Sequence, residues 1–227
     1  MKLGIHQPQY LPWLPFFTKI QSCDYFVFLD SVDYQKNGIQ NRNQIKTLKG
    51  KLWLTVPVIS KFGQKISEVR ISNISDWKKK HILTIKQSYS KSQFFNTYIG
   101  ELENIYKKEW SSLCELNISI IKLIMKWLKI KTPFILSSDL DLNGKSNDLI
   151  INICKKLNAN EFVSGVGAKN YLKPSLFKKN NISLSYHVGY EVKKYQQLFS
   201  ECGFIEDLSA LDIIFNCGDK WKDFLKK

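Results

Sequence analysis

The stretch that decides the fold of this chain is Lys2-Leu3-Gly4-Ile5-His6-Gln7-Pro8-Gln9-Tyr10-Leu11-Pro12-Trp13. Residues 2–6 have the apolar centre of a buried strand, and the polar run after them is stiffened by prolines, which fix φ and remove amide donors. The strand therefore delivers His6, Gln7 and Tyr10 onto a rigid loop. Side chains held in this way are suited to a binding or catalytic site.

The segments that follow predict a parallel α/β architecture. Residues 13–23 predict a helix, and residues 25–29 predict a second strand that ends at Asp30. A strand, a helix and a strand in this order form the unit from which Rossmann-like parallel or mixed sheets are built. Ligands of such sheets bind beyond the carboxyl ends of the strands, where we expect both His6 and Asp30.

The rest of the chain extends this pattern around a helical middle section. Residues 52–58 and 66–71 predict two strands of a hairpin, and residues 76–130 are helical in pattern, with Asp76 as the first N-cap. Strands and helices then alternate in the predicted segments 133–136, 146–157, 161–164, 174–179, 182–187 and from about 209. We therefore expect one α/β domain, residues 1–227, with a helical subdomain at about residues 76–130.

The composition narrows the class of protein. Of the 227 residues 44% are hydrophobic, which is enough for a sizeable core. The formal net charge is +14, but Arg42 and Arg70 are the only arginines, and surfaces that read bases rely on the planar guanidinium. Specific nucleic-acid binding is therefore not expected. Five scattered cysteines without CxxC spacing, and no leader or long apolar run, predict a cytoplasmic protein without a transmembrane segment.

Candidate site residues begin in the amino-terminal loop. A neutral His6 suits a general base and a protonated one suits a phosphate ligand, whereas the alternative is a histidine that only caps the loop backbone. Tyr10 and Trp13 either stack on a base or sugar ring or simply pack. Asp30 and Asp33 suit sugar hydroxyls or an amine, but two carboxylates alone are a weak metal site, so no metal is expected.

A second group of candidates follows in an amide-rich segment. Lys36 and Arg42 suit a diphosphate, with Asn41 and Asn43 beside them to read hydroxyls, although a turn with a solvated arginine is the alternative. His81, which follows three lysines, is either a second acid–base group or part of a solvated helix face.

A glycine turn after a predicted strand supplies the last candidates, Ser164, Gly165 and Tyr171. Two glycines at this spacing favour a phosphate but do not form a Walker loop or a full dinucleotide fingerprint. The motifs GxSxG and HExxH are absent, which lowers support for familiar hydrolase mechanisms.

These motifs resemble those of the WbqC-like protein family. The resemblance begins with the QPxYxPW-type loop at residues 7–13 and continues through the segments Asp30-Ser31-Val32, Asn41-Arg42-Asn43-Gln44-Ile45, residues 53–58, residues 77–81, Ser164-Gly165 with Tyr171, Tyr195-Gln196 and residues 208–218. It extends over almost the whole chain. What it implies is a role in bacterial surface-polysaccharide biosynthesis, as in O-antigen and lipopolysaccharide assembly.

Such pathways carry amino sugars on nucleotides and decorate the amine with acyl or aminoacyl groups. The resemblance therefore implies an N-acyl or aminoacyl transferase whose partners are a nucleotide-linked amino sugar and an acyl or aminoacyl donor. We expect His6, His81 and Asp33 to be catalytic. The expected substrate-binding residues are Gln7, Tyr10, Trp13, Asp30, Lys36, Asn41, Arg42, Asn43, Ser164, Gly165 and Tyr171.

Two other functions stay open, and the cofactor is not identified. A non-catalytic nucleotide-sugar or glycan-binding protein of a polysaccharide assembly complex would tolerate the loss of His6, and a cationic RNA-binding protein would show steep salt dependence. The opening is loosely similar to adenylate-forming nucleotidyltransferase folds, but the HxGH spacing is missing. ATP is needed only if the acyl donor is a free acid that must be activated.

Overall fold

A computed structural model describes residues 1–187 and 192–225 of the chain. The chain divides into two compact units, each assembled from separate segments. Unit 1 comprises Met1–Pro8, Pro15–Val32 and Ile130–Gly189, and unit 2 comprises Gln9–Leu14, Asp33–Lys129 and Tyr190–Lys227.

The described residues form nine β-strands and seven α-helices. The strands are β1 (Lys2–His6), β2 (Tyr25–Phe28), β3 (Arg42–Thr47), β4 (Gly50–Thr55), β5 (Val58–Ile59), β6 (Arg70–Ile71), β7 (Phe134–Leu136), β8 (Glu161–Gly165) and β9 (Ser183–His187). The α-helices are α1 (Leu14–Gln21), α2 (Trp77–Tyr89), α3 (Phe95–Lys107), α4 (Leu113–Trp127), α5 (Ser146–Lys156), α6 (Pro174–Lys179) and α7 (Leu211–Cys217). Within the described ranges, no helix is both long and apolar enough to cross a bilayer.

Unit 1 is built on a five-stranded parallel sheet with the strand order β7-β2-β1-β8-β9. Every neighbouring pair in this sheet runs in the same direction. Numbered among themselves along the chain, the five strands have the order 3-2-1-4-5 of the Rossmann fold. The α/β, Rossmann-like prediction is therefore confirmed.

The two faces of this sheet pack against different helices. Successive side chains of a strand point to opposite faces, so Leu3 and Ile5 share one face and Gly4 and His6 share the other. Leu3 and Ile5 belong to an apolar core that α5 and α6 complete, with Phe177 fully buried in it. The other face packs against α1 through aromatic side chains of α1 and β2.

The strand order of unit 1 reverses between β1 and β8. The chain leaves β1 for α1 on one face of the sheet and leaves β8 for α6 on the other. Connections that part in this way open a crevice at the carboxyl edge of the two strands, and open parallel sheets bind their ligands there. In unit 1 this switch point lies beside His6.

Unit 2 combines the helices α2, α3 and α4 with two short antiparallel ribbons. Asp76 caps α2, because its side chain accepts a hydrogen bond from the Lys79 amide at 3.3 Å. The strands β3 and β4 pair over six residues each, and β5 pairs with β6. The core includes Phe215 of α7, whose ring contacts the rings of Tyr89 and Phe95.

Three segments of unit 2 differ from their predicted structure. Residues 52–58 are not one strand, because the chain is interrupted at Pro57, which lacks an amide donor for the ladder. Residues 66–71 begin with a 3₁₀ turn and pair only at β6. Arg42 and Asn43, for which a surface turn was the alternative, begin β3.

Candidate functional site

The switch point of unit 1 places polar residues at the ends of three neighbouring strands. His6 ends β1, Ser164 and Gly165 end β8, and His187 ends β9. The sheet register pairs Gly165 with His187. Unit 1 therefore brings together three predicted site residues and adds His187, which the sequence analysis had not singled out.

His6 is held as a neutral imidazole with a defined orientation. Its Nδ1–H donates to the Gln7 carbonyl at 3.0 Å, and the ring packs edge-on against Phe16 with centroids 5.2 Å apart. In this tautomer the lone pair lies on Nε2. Burial, together with the positive charge of Lys19, lowers the pKa of His6 to about 3. The imidazole of the ligand-free protein is therefore uncharged at neutral pH.

Two consecutive residues of α1 bond to this part of the sheet. The Thr18 hydroxyl donates to the Pro15 carbonyl at 3.1 Å and accepts from Nε2–H of His187 at 3.0 Å. Lys19 donates from Nζ to the Ile5 carbonyl at 2.7 Å. Lys19 was not predicted as a functional residue, and its one signal in the sequence is that it is the single charged residue of an otherwise mostly apolar helix.

Asp30, which follows β2, is buried and fully engaged within unit 1. Its carboxylate accepts from the Ser137 hydroxyl at 2.9 Å, from the Ser138 amide at 2.9 Å and from the Ser138 hydroxyl at 2.8 Å. These bonds join the end of β2 to the turn after β7. Asp30 therefore fixes the edge of the sheet next to His6, and its contact with substrate stays a prediction.

The turn after β8 leaves space at the strand end. Gly165 has an extended backbone, and a Cβ atom added there would meet nothing within 4 Å. Ser164 is buried, whereas Tyr171 is largely exposed, with its carbonyl accepting from the Asn147 side chain at 3.1 Å. The conformation of Gly165 does not require glycine, but its lack of a side chain keeps this end of β8 open.

In unit 2, Tyr10 and His81 are brought together in a buried aromatic cluster. The Tyr10 hydroxyl bonds to Nδ1 of His81 at 2.8 Å and also to the Tyr106 hydroxyl. His81 is only 7% exposed, which makes the solvated-face alternative wrong. Burial lowers its pKa to about 4, opposed by a hydrogen bond to the Thr55 backbone. The acid–base role of His81 stays a prediction.

Arg42 of β3 is oriented by its neighbours in unit 2. The guanidinium lies over the Trp53 ring, 4.5 Å from its centre, and donates to the Asn37 carbonyl. Its Nε–H is buried and has no hydrogen-bond partner within unit 2 as described. A donor in this state leaves Arg42 able to take a further acceptor, as an anion-binding arginine requires.

The side-chain amides of the two asparagines beside Arg42 already donate hydrogen bonds within unit 2. Asn41 donates to the Val56 carbonyl at 2.9 Å, and Asn43 donates to the Leu11 carbonyl at 2.7 Å. Their roles in reading hydroxyls stay predictions.

Three further predicted residues lie elsewhere in unit 2. Lys36 and Asp33 are exposed, and the backbone of Asp33 forms a bridge with Lys65. The backbone of Trp13 bridges to Ser209, while its side chain is half-buried. The catalytic role of Asp33 and the substrate contacts of the other two stay predictions.

A buried polar network in unit 2 was not predicted at all. Asp212 accepts from the Tyr89 hydroxyl at 2.9 Å, from the Tyr195 hydroxyl at 2.6 Å and from the Gln197 amide at 2.9 Å. Lys46 donates to the Gln197 side-chain oxygen at 3.2 Å and to the Gly203 carbonyl at 2.6 Å. Burial raises the pKa of Asp212, while these donors oppose the shift. The network ties the carboxy-terminal segments to β3.

Comparison with known proteins identifies the family. The WbqC-like protein family matches residues 7–223, which is nearly the whole chain. The uncharacterized protein Rv1507c of Mycobacterium tuberculosis (strain ATCC 25618 / H37Rv) is 34% identical over 228 residues, covering 99% of this chain and 97% of that protein. No solved structure matches the chain. The chain therefore belongs to the WbqC-like protein family.

Proposed function

We propose that this protein is an enzyme of bacterial surface-polysaccharide biosynthesis that transfers an acyl or aminoacyl group to the amine of a nucleotide-linked amino sugar. The observation that carries the proposal is the neutral, oriented imidazole of His6 at the switch point of a parallel sheet. Sheets with this strand order bind nucleotides at that edge, and an imidazole there is placed to accept a proton.

In the proposed step the sugar amine attacks the carbonyl carbon of an activated ester or thioester. The new C–N bond forms as the bond from the carbonyl carbon to the leaving group breaks, and the leaving group departs with the electron pair. The proton lost by the amine passes to Nε2 of His6 and then to the leaving group. No other reactant is needed for the atoms and charges to balance.

The low pKa of His6 fits this role only when ligand is bound. At a pKa of about 3 the imidazole is a weak base in the ligand-free protein. A negatively charged group beside an imidazole favours its protonated form and raises its pKa. An anionic nucleotide at the carboxyl edge of β1 would therefore bring His6 toward the base strength that proton transfer at neutral pH needs.

Other residues of unit 1 supply polar contacts for the sugar. The Ser164 hydroxyl and the Gln7 side chain lie on residues at the same edge as His6, and Gly165 leaves room for a ligand there. Independently of unit 1, we propose that Arg42 and Lys36 of unit 2 bind an anionic group. The buried Nε–H of Arg42 can donate to another acceptor.

The proposal is tested by binding and turnover in parallel. Thermal stabilisation of the wild type by a panel of nucleotides, nucleotide sugars and nucleotide-linked amino sugars identifies the acceptor class. We expect selective stabilisation by a nucleotide-linked amino sugar, retained in His6→Gln. With activated acyl donors, we expect His6→Gln to lower the transfer rate by about two to four decades, because the proton acceptor is removed.

The possible outcomes separate the candidate functions. Full transfer activity in His6→Gln would exclude this imidazole as the base, whatever the ligand. Selective binding without transfer from any donor would favour the non-catalytic sugar-binding function. If no member of the panel stabilises the wild type, the acceptor is not a nucleotide sugar.

A further inference from the structure

Helix α1 carries a buried lysine that the proposed reaction does not use. Lys19 is 3% exposed, its Nζ donates to the Ile5 carbonyl at 2.7 Å, and it lies 5.9 Å from the centre of the Phe26 ring. No carboxylate of the described residues lies within ion-pair distance of it. A buried ammonium group without an opposite charge is destabilising, so its presence calls for a role beyond packing.

A second buried lysine, in unit 2, has the hydrogen bonds expected of a lysine with a structural role. Lys46 is 1% exposed, and its Nζ bonds to two oxygens inside the network around Asp212. That network contains the carboxyl group of Asp212, whose pKa is raised by burial, and the positive charge of Lys46 opposes this rise. Among the described residues Lys19 contacts no such network, which makes Lys46 a natural control for it.

The contacts of Lys19 lead directly to His6. The carbonyl that accepts from its Nζ belongs to Ile5, the residue that precedes His6 in β1. Thr18, the residue before Lys19, bonds to His187 at the end of β9. One turn of α1 therefore holds the ends of two strands that both terminate in histidine.

The charged and titratable groups around these histidines come from several elements. Lys19 faces both His6 and His187, Lys2 of β1 also faces His187, and Cys23 faces Lys19 from the segment after α1. Positive charge therefore dominates the described surroundings of the two imidazoles. A further proton on either ring would add to that charge in a buried region.

We propose that Lys19 is a positioning residue for His6. Its amine fixes the backbone before His6, and its charge adds to burial in disfavouring protonation of the imidazole until a ligand binds. This inference rests on the proposed function, because only a reaction that uses His6 as a base makes its low basicity in the ligand-free protein relevant. Burial lowers the pKa of both His6 and His187, and the charge of Lys19 lowers both further; burial also lowers the pKa of Lys19 itself to about 7. An anionic ligand would favour the protonated form of each group, so the basicity of His6 would increase on binding.

The test is a proton NMR titration of the imidazoles in the ligand-free protein. We expect Lys19→Met to raise the titration midpoint of His6 by about one pH unit or more, because a neighbouring positive charge is removed. Lys19→Arg keeps the charge and should keep the midpoint low. Lys46→Met, which removes an equally buried amine from unit 2, should leave it unchanged. The His6 signal is identified by its loss in His6→Gln.

An unchanged His6 midpoint in Lys19→Met would overturn the proposal, as would an equal shift in Lys46→Met. If Lys19→Met does not fold, Lys19→Gln makes the same comparison with a polar neutral side chain. The titration needs no substrate, so it stands apart from the transfer assay. If the His6 midpoint shifts in Lys19→Met but no transferase activity is found, the effect of Lys19 on the protonation of His6 is upheld and the proposed reaction is rejected.

Discussion

At the level of single residues, Asp212 shows how strongly one buried carboxylate can organise its surroundings. It is 1% exposed and accepts hydrogen bonds from Tyr89, Tyr195 and Gln197. Asp212→Ala leaves these donors unsatisfied in the interior, and each such group is destabilising by about 1–3 kcal/mol. We expect the free energy of unfolding to fall by about 3 kcal/mol or more, measured by urea denaturation.

The control for this variant is an acidic residue of the same unit without these contacts. Glu206 is exposed, so Glu206→Ala should change the free energy of unfolding by less than about 0.5 kcal/mol. A loss of equal size in the two variants would show that the effect of Asp212→Ala is one of net charge and not of hydrogen bonding.

The same residues show where inference from sequence ends. His6 and Asp30 were placed correctly at the sheet edge, because each directly follows the apolar run of a strand. Lys19 and Asp212 were missed, because the groups that bury them come from strands and segments far away in the chain. Lys19 bonds to a residue 14 positions earlier, and Asp212 to one 123 positions earlier. No local spacing encodes such partners.

At the level of elements, the contact between β1 and the turn into β2 depends on Gly4. A Cβ atom at this position would lie 2.5 Å from the Phe26 ring and 2.7 Å from the Cys23 sulfur. Both neighbours are buried, so Gly4→Ala must push the strand or the ring aside. We expect a loss of about 1–3 kcal/mol in the free energy of unfolding, measured by urea denaturation.

A glycine in an open position gives the opposite expectation. Gly100 lies inside α3, is exposed, and a Cβ atom there would meet nothing within 4 Å. Gly100→Ala should therefore stabilise the protein by up to about 1 kcal/mol, because alanine loses less backbone entropy in a helix. If Gly4→Ala proved as harmless as Gly100→Ala, the close packing of β1 would not be a constraint.

The positions of helices and strands were predictable where the buried side chains are apolar and were not predictable where the buried side chains are polar. The strands β2 and β7 consist of apolar and aromatic residues and β8 has an apolar pair at its centre, and the positions of all three followed from the sequence. The strand β3 has the sequence RNQIKT, in which polar residues predominate and no apolar run indicates a strand. Its Asn43 and Lys46 are nevertheless buried, because they donate to the carbonyls of Leu11 and Gly203. The polar sequence of β3 therefore did not indicate a buried strand, because the groups that bond to its polar side chains are distant in the chain.

At the level of the whole molecule, burial removes basic character from every histidine of the chain. The pKa of His6 falls to about 3 and that of His81 to about 4, and the pKa of His187 is also lowered. Lys19 follows the same rule, with its pKa lowered to about 7. The folded protein thus carries less positive charge than its sequence indicates. The deficit arises below pH 6.5 for the histidines and between pH 7 and 10.5 for Lys19.

This charge deficit predicts how stability depends on pH. Below pH 6.5 the unfolded chain takes up protons on His6 and His81 that the folded protein does not bind, so the free energy of unfolding falls as the pH falls. Each fully linked group contributes up to about 1.4 kcal/mol per pH unit. We expect urea denaturation to show a marked loss of stability from pH 6.5 to pH 5, before most carboxylates titrate.

The variant His81→Gln isolates one part of that slope. Asp212 acts with the opposite sign, because a raised pKa lets the folded protein bind a proton before the unfolded chain does, so the informative quantity is the difference between wild type and variant. Glutamine cannot take up the proton that His81 gains on unfolding, and the loss of stability with falling pH should become shallower by up to about 1.4 kcal/mol per pH unit. Parallel curves for the two proteins between pH 6.5 and pH 5 would mean that His81 titrates alike in the folded and unfolded chains, which its burial between Tyr10 and Trp77 argues against.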